Sequence, residues 1–269
     1  MIVVVNILFT KSLRHNVSLV LVSNLALGDT LSCMYSIITA FIVVSNRYED
    51  LHYFYDRTCS KVGPLFVLGQ VTSAFTSLAL TIERYLCIVY SMKPDIRLTP
   101  RLGSLTIAFN WCFAVCTMSV AIYFDLYFNN HFCLPIGFSK LFSPTVLSYT
   151  LFFVISLVTF NLLTIPLYLH IYIAVKRSSQ QMRLKRESDL AKRIGILVGG
   201  NLVFFFTPVL TMSLWSLVLN SGVEVPIYSN SVIRQWVPVY CLSINVCLNP
   251  FSMLLEMTSS KTLRKITFH

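Results

Sequence analysis

Glu83 and Arg84 stand side by side in "TIERYLCIVYS", at the end of a long apolar run where a membrane helix should be finishing. A charged side chain at mid-bilayer costs about 2.5–3.5 kcal/mol on insertion scales, so an acid and a base placed there together need a reason. Asp29 raises the same question deeper in the chain, at the end of "NLALGD". A carboxylate that snorkels or stays protonated is the plain structural alternative; an intramembrane acid otherwise marks an ion site or a switch. Ser73, Asn245 and Asn249 lie in other apolar runs and can converge on Asp29. Oxygen donors of this kind suit a hard cation such as sodium. Asn24, five residues before Asp29 and slightly off its face, can reach Trp111 in a further run. The residues of enzyme chemistry do not cluster: His15, His52, His131, His170 and His269 are scattered, with no zinc-type pair, phosphate-binding glycine loop or nucleophile elbow. The expectation is a protein that is not an enzyme and holds no metal cofactor.

The elements that must position these residues follow from composition. The chain is 55% hydrophobic and 12% charged, with a mean hydropathy of +0.71. Globular domains carry about 25% charged residues, so the solvent here is lipid. Lipid offers no partner for backbone N–H and C=O groups, so runs of ~20 apolar residues cross it as helices. Six full spans are expected at 17–45, 59–90, 103–126, 144–175, 190–219 and 236–257. Met1–Phe9 is too short to cross. Its basic flank (Lys11, Arg14) follows it, which fits the remnant of a first membrane helix better than a signal peptide. Pro208 and Pro250 interrupt the last two spans, each as a tolerated kink or a hinge. Beyond them, 258–268 can form a short amphipathic helix on the membrane surface, with Leu263 and Ile266 on one face and Lys261, Arg264 and Lys265 on others. The predicted fold is an all-α membrane protein: a seven-helix bundle with an incomplete first helix and a surface helix at the C-terminus.

Basic residues orient the bundle. Of the 21 Lys and Arg, only Arg47, Arg57, Lys61, Lys140 and Arg234 fall on one side; the rest lie on the other, which is therefore the cytoplasmic side and carries the tail. The net charge of +10 is cytoplasmic surface charge, suited to anionic lipid and acidic partners, and nucleic-acid binding is not needed to explain it. The sequon Asn16-Val17-Ser18 would be cytoplasmic and unglycosylated. Cys59 and Cys133 fall on the outer side, where oxidation is possible. Cys33, Cys87, Cys112, Cys116, Cys241 and Cys247 read as small packing residues within or near the spans.

These features, taken in order, resemble the rhodopsin-like G-protein-coupled receptors: "NLALGD" in helix two, Cys59 twenty-five residues before Arg84, "ERY" ending helix three, Trp111 in helix four, Cys133 before helix five, Pro208 in helix six and "NP" in helix seven. "ERYLCIVYS", "CLPIGF", "DLAKRIGILV" and "INVCLNPF" are similar to the leucine-rich-repeat receptors, in particular the relaxin-receptor branch. Those receptors carry a large repeat ectodomain, and no leucine-rich repeat occurs in this sequence, so the chain would be the membrane half of a longer protein or a truncated product. The resemblance implies a plasma-membrane receptor that passes an extracellular signal to a heterotrimeric G protein. It implies a Cys59–Cys133 disulfide over helix three. It also implies a switch in which Glu83 holds Arg84 at rest; on activation helix six swings out and Arg84, followed by Tyr85, packs toward Tyr172.

Departures from the family pattern put coupling efficiency in question. The helix-six Trp is Phe206, the Tyr three residues after the helix-seven proline is Met253, and the second inner loop has Ser91 where a proline is usual. A retinal-linking lysine is replaced by Ser243 and an amine-binding aspartate by Phe66, which leaves a peptide or protein hormone as the expected ligand. Two other readings compete: a decoy or scaffold that does not signal, and a secondary transporter, which would show matched broken helices in two halves.

Overall fold

The computed structural model of the chain describes residues 17–45, 51–90, 96–124, 126 and 144–178, with isolated positions within 199–211 and at Cys241 and Ile244. Among the described residues the regular structure is helical, and no strand occurs. Four long helices follow one another: α1 (Val17–Ser45), α2 (Leu51–Val89), α3 (Pro100–Tyr123) and α4 (Pro144–Ser178). Val17–Phe41, Lys61–Val89, Pro100–Tyr123 and Leu147–Ala174 within them are each long and apolar enough to cross a membrane. They overlap the first four of the six full spans named above. Met1–Phe9 and 258–268 lie outside the described residues, as do most of 190–219 and 236–257.

The helix ends differ from the apolar boundaries for local reasons. α2 reaches out to Leu51, ahead of the expected start at 59, because helical hydrogen bonding continues past the point where the sequence stops being uniformly apolar. α3 starts at Pro100 rather than 103. Thr99 is extended (φ −76°, ψ 153°) and its hydroxyl accepts from the Leu102 N–H, while Pro100 occupies the first turn, where its missing donor costs nothing. The helix closes at Tyr123, where the Leu126 N–H turns back to the Ala121 carbonyl at 2.8 Å. Pro64 and Pro166 sit inside α2 and α4, where each removes one helical donor.

α2 is the centre of the described bundle, packed by α1, α3 and α4, and α1 shares the longest contact with it. Small residues permit that approach. A Cβ on Gly69 would overlap Ser32 Oγ and lie 2.8 Å from the Ser32 backbone N and 2.9 Å from the Gly28 carbonyl; one on Gly28 would lie 2.8 Å from Ser73 Oγ. Gly28 and Ser32 on α1 thus face Gly69 and Ser73 on α2, two small-xxx-small pairs that bring the backbones together where lipid supplies no hydrophobic drive. Toward the Lys61 end of α2, the interior is aromatic: Tyr35 and Phe66 have ring centroids 5.0 Å apart, and Phe153 stacks on Tyr149 at 6.1 Å. Phe66 is buried in this cluster, so the position where an amine receptor would carry an acid is core packing. Phe206 is half-buried against the same cluster.

Several hydroxyls on these helices are satisfied inside their own turns. Thr30, Thr39, Thr106, Thr117 and Ser156 each donate to the carbonyl four residues back, at 2.6–2.9 Å. The outer face of α3 is apolar, with Leu105 and Phe109 exposed, and its buried face carries Gly103, Asn110, Ala114, Thr117 and Ala121. Cys112 and Cys116 fall on the exposed face. This corrects the expectation that they are packing residues: the i, i+4 spacing places both on one stripe, and that stripe is the one α3 turns away from the bundle.

Candidate functional site

Among the described residues, three polar groups in the apolar interior contain residues expected at a site, and α2 contributes to each. The first is Glu83, which is only 5% exposed although charged. Ser18 Oγ, from the start of α1, donates to Glu83 Oε1 at 2.6 Å, and Cys87 Sγ, one turn further along α2, donates to the same oxygen at 3.3 Å. Arg84 Nε stands 3.6 Å from Glu83 Oε2. The carboxylate is thus held by two donors and a neighbouring guanidinium, the condition under which a buried charge is tolerated. Beside them, Tyr85 Oη lies 3.0 Å from His170 Nδ1 on α4, with the rings 5.5 Å apart. Tyr172 is exposed on the same helix.

The second group is Asp29, 2% exposed, whose Oδ1 accepts from Ser73 Oγ at 2.7 Å. A hydroxyl that donates its proton to a carboxylate keeps its lone pairs for another electrophile, and both groups are hard oxygen donors. Gly28 beside them leaves room that a side chain would take from Ser73. Asn245 and Asn249, the other two expected members, lie outside the described residues.

The third group ties three helices together. Trp111 Nε1 donates to Asn24 Oδ1 at 2.9 Å. Asn24 Nδ2 donates to Thr76 Oγ1 at 2.7 Å, and Asn110 Nδ2 donates to the same oxygen at 2.9 Å. Thr76 Oγ1 in turn donates to the Thr72 carbonyl at 2.6 Å. One hydroxyl therefore uses its single proton and both lone pairs, joining α1, α2 and α3 at one atom.

The structure brings together Asp29 with Ser73, Asn24 with Trp111, and Glu83 with Arg84. It adds Ser18, Cys87, Thr76, Asn110 and His170, which reasoning from the sequence left aside. Asn110 had a usable signal, being an amide beside Trp111 inside an apolar run. Ser18 and His170 had none, because only the relative rotation of the helices shows where they point. Cys133, Pro208, Asn249, Pro250 and Met253 lie outside the described residues, and so does the side chain of Cys59.

The family model of the 7 transmembrane receptor (rhodopsin family) matches residues 1–252. Among curated relatives, the follicle-stimulating hormone receptor of Notamacropus eugenii is 27% identical over 99% of this chain and 37% of its own length. The receptor of the same name from Cairina moschata is 26% identical over 99% of the chain and 37% of its length. That of Homo sapiens is 25% identical over 93% and 35%. The chain thus spans about a third of the length of these relatives. These relatives are named for a different hormone from the relaxin branch. With four helices long and apolar enough to cross a membrane, a buried acid beside a half-buried base, and a family match across nearly its whole length, the chain is a multi-pass membrane protein that belongs to the rhodopsin family of seven-transmembrane receptors.

Proposed function

We propose that the chain is the membrane domain of a hormone receptor that carries an extracellular peptide or protein signal to a heterotrimeric G protein. The observation that carries this reading is the Glu83–Arg84 pair at one end of α2, in which Ser18 and Cys87 hold the buried Glu83 beside a half-buried Arg84. A purely structural ion pair would gain little from burying its acid, since a charge taken out of water costs several kcal/mol before it attracts its partner. A pair that must break on signalling gains a defined resting state, and burial supplies it. The end carrying the pair is the cytoplasmic one in this reading, because the basic residues concentrate there. The protein-hormone ligand class is supported by the aromatic filling around Phe66 and by the names of the relatives. Asp29 and Ser73 form one wall of a site for a sodium ion that favours the resting state.

Ligand-free nucleotide exchange tests the reading. Membranes containing the chain are mixed with purified heterotrimers from each coupling class, and GTP-analogue uptake is compared with that of Arg84→Ala. Exchange on at least one heterotrimer that Arg84→Ala abolishes supports the receptor. A parent that is at the cell surface and silent on every heterotrimer favours the decoy or scaffold reading.

A further inference from the structure

The three residues of "ERY" follow one another on a helix at about 100° per residue, so they fan out toward different neighbours. Glu83 points to α1, where Ser18 Oγ meets it at 2.6 Å. Tyr85 points to α4, where His170 Nδ1 meets its hydroxyl at 3.0 Å. Arg84 lies between. Each neighbour is braced further. Ser18 and Glu83 are both buried, so water does not readily replace their bond. Tyr85 packs edge-on against Tyr90, and the buried Ile171 packs with Tyr85 and Ile88 beneath the His170 contact. A hydroxyl donating to a carboxylate is among the stronger hydrogen bonds a side chain makes.

We propose that Ser18 and His170 are positioning residues for Arg84. From two separate helices they clamp the residues on either side of it, and so set how readily the guanidinium leaves its resting place. The proposal rests on the receptor reading for its signalling consequence, but not for the clamp itself. Arg84 can move toward a partner only when α2 turns or when Glu83 lets go. The first motion strains the Tyr85–His170 contact and the second the Ser18–Glu83 bond. Cys87 offers a built-in reporter: its thiol shares Glu83 Oε1 with Ser18, so a displaced carboxylate uncovers it.

Two readouts on the full chain in membranes test this. The first is ligand-free nucleotide exchange on the responsive heterotrimer. Ser18→Ala and His170→Phe should each raise it roughly two- to twelvefold, the shift that one net hydrogen bond gives to a two-state balance. Ser18→Thr and His170→Asn, which keep a polar atom in place, should stay near the parent. Tyr85→Phe should match His170→Phe, and the double variant should add nothing further. The second readout needs no G protein: the alkylation rate of Cys87 by a membrane-permeant maleimide, resolved from other cysteines by peptide mapping. Ser18→Ala should raise it at least roughly threefold on the same scale. Unchanged Cys87 labelling in Ser18→Ala overturns the clamp, whatever exchange does. Raised labelling with unchanged exchange in an active parent overturns the positioning role and leaves the receptor reading standing. Additive effects of Tyr85→Phe and His170→Phe overturn the α4 half. A parent silent on every heterotrimer defeats the receptor reading and with it the signalling role, and the labelling result then decides the clamp alone.

Discussion

Thr76→Val removes one hydroxyl and keeps the side-chain shape, so it isolates the node that joins three helices. In the parent, Thr76 Oγ1 accepts from Asn24 and Asn110 at 2.7 and 2.9 Å. After substitution the Asn24 amide keeps a buried N–H with no acceptor, and the Asn110 amide keeps only its longer bond to the Thr72 carbonyl at 3.3 Å. A buried unsatisfied donor costs about 1–3 kcal/mol, while cross-helix bonds in membrane bundles average only about 0.6 kcal/mol, with a maximum near 1.7. The lower scale is the better guide, because a bundle relaxes and its unfolded state in lipid also finds partners. Two lost acceptances then amount to about 1–3 kcal/mol. For a chain of this size that lowers the unfolding midpoint by about 2–4 °C per kcal/mol, or roughly 2–12 °C. The assay is thermal unfolding of the detergent-solubilised chain followed by thiol-reactive dye. Thr76→Ser should stay close to the parent. Thr39→Val is the control: its hydroxyl donates to carbonyls of its own helix at 2.9 and 3.1 Å, so its loss should cost under about 0.5 kcal/mol. If Thr76→Val melts with the parent, or no lower than Thr39→Val, the node contributes nothing and the reasoning fails.

Gly69→Ala should destabilise the bundle by about 1–3 kcal/mol through overpacking, measured by the same melting assay. Ser32→Ala should not rescue it, since the added Cβ still meets the Ser32 N and the Gly28 carbonyl at 2.8 and 2.9 Å. Sodium should lower ligand-free exchange in the parent and leave Asp29→Asn unaffected; equal sodium sensitivity in the two would remove Asp29 from any ion site. Met253→Tyr should raise ligand-free exchange roughly two- to twelvefold by restoring a donor that a thioether lacks, and that gain should vanish in the Tyr172→Phe background.

The acids and the paired motifs were legible because charge in lipid is expensive and therefore conspicuous. Asp29, Glu83 and Arg84 stand out from any apolar run, and Ser73 and Trp111 follow once a partner is sought at the right depth. Thr76 and Ser18 were hidden by the opposite property. A hydroxyl can bond back to its own helix at small cost, as Thr30 and Thr81 do, so a threonine in a span attracts no notice even when it bridges helices. Rotation was the other missing quantity. The spacing of Cys112 and Cys116 fixed that they share a stripe but not that the stripe faces outward. Whether His170 meets Tyr85 or lipid depends on a turn of α4 that no single helix encodes. The outer extension of α2 escaped for a simpler reason: hydropathy marks where lipid ends, and backbone hydrogen bonding marks where a helix does.

The central claim is that the pair of buried Glu83 and half-buried Arg84 is a releasable restraint on signalling. Its most direct measurement is ligand-free nucleotide exchange by Glu83→Gln at matched surface expression. Glutamine keeps the size and an acceptor for Ser18 but gives up the charge that holds Arg84 at 3.6 Å. The account predicts exchange above the parent by roughly two- to fivefold, on the scale of a partly exposed ion pair worth about 0.5–1 kcal/mol, and its complete loss when Arg84→Ala is added. Exchange at or below the parent level in Glu83→Gln, or a gain that survives Arg84→Ala, would contradict it.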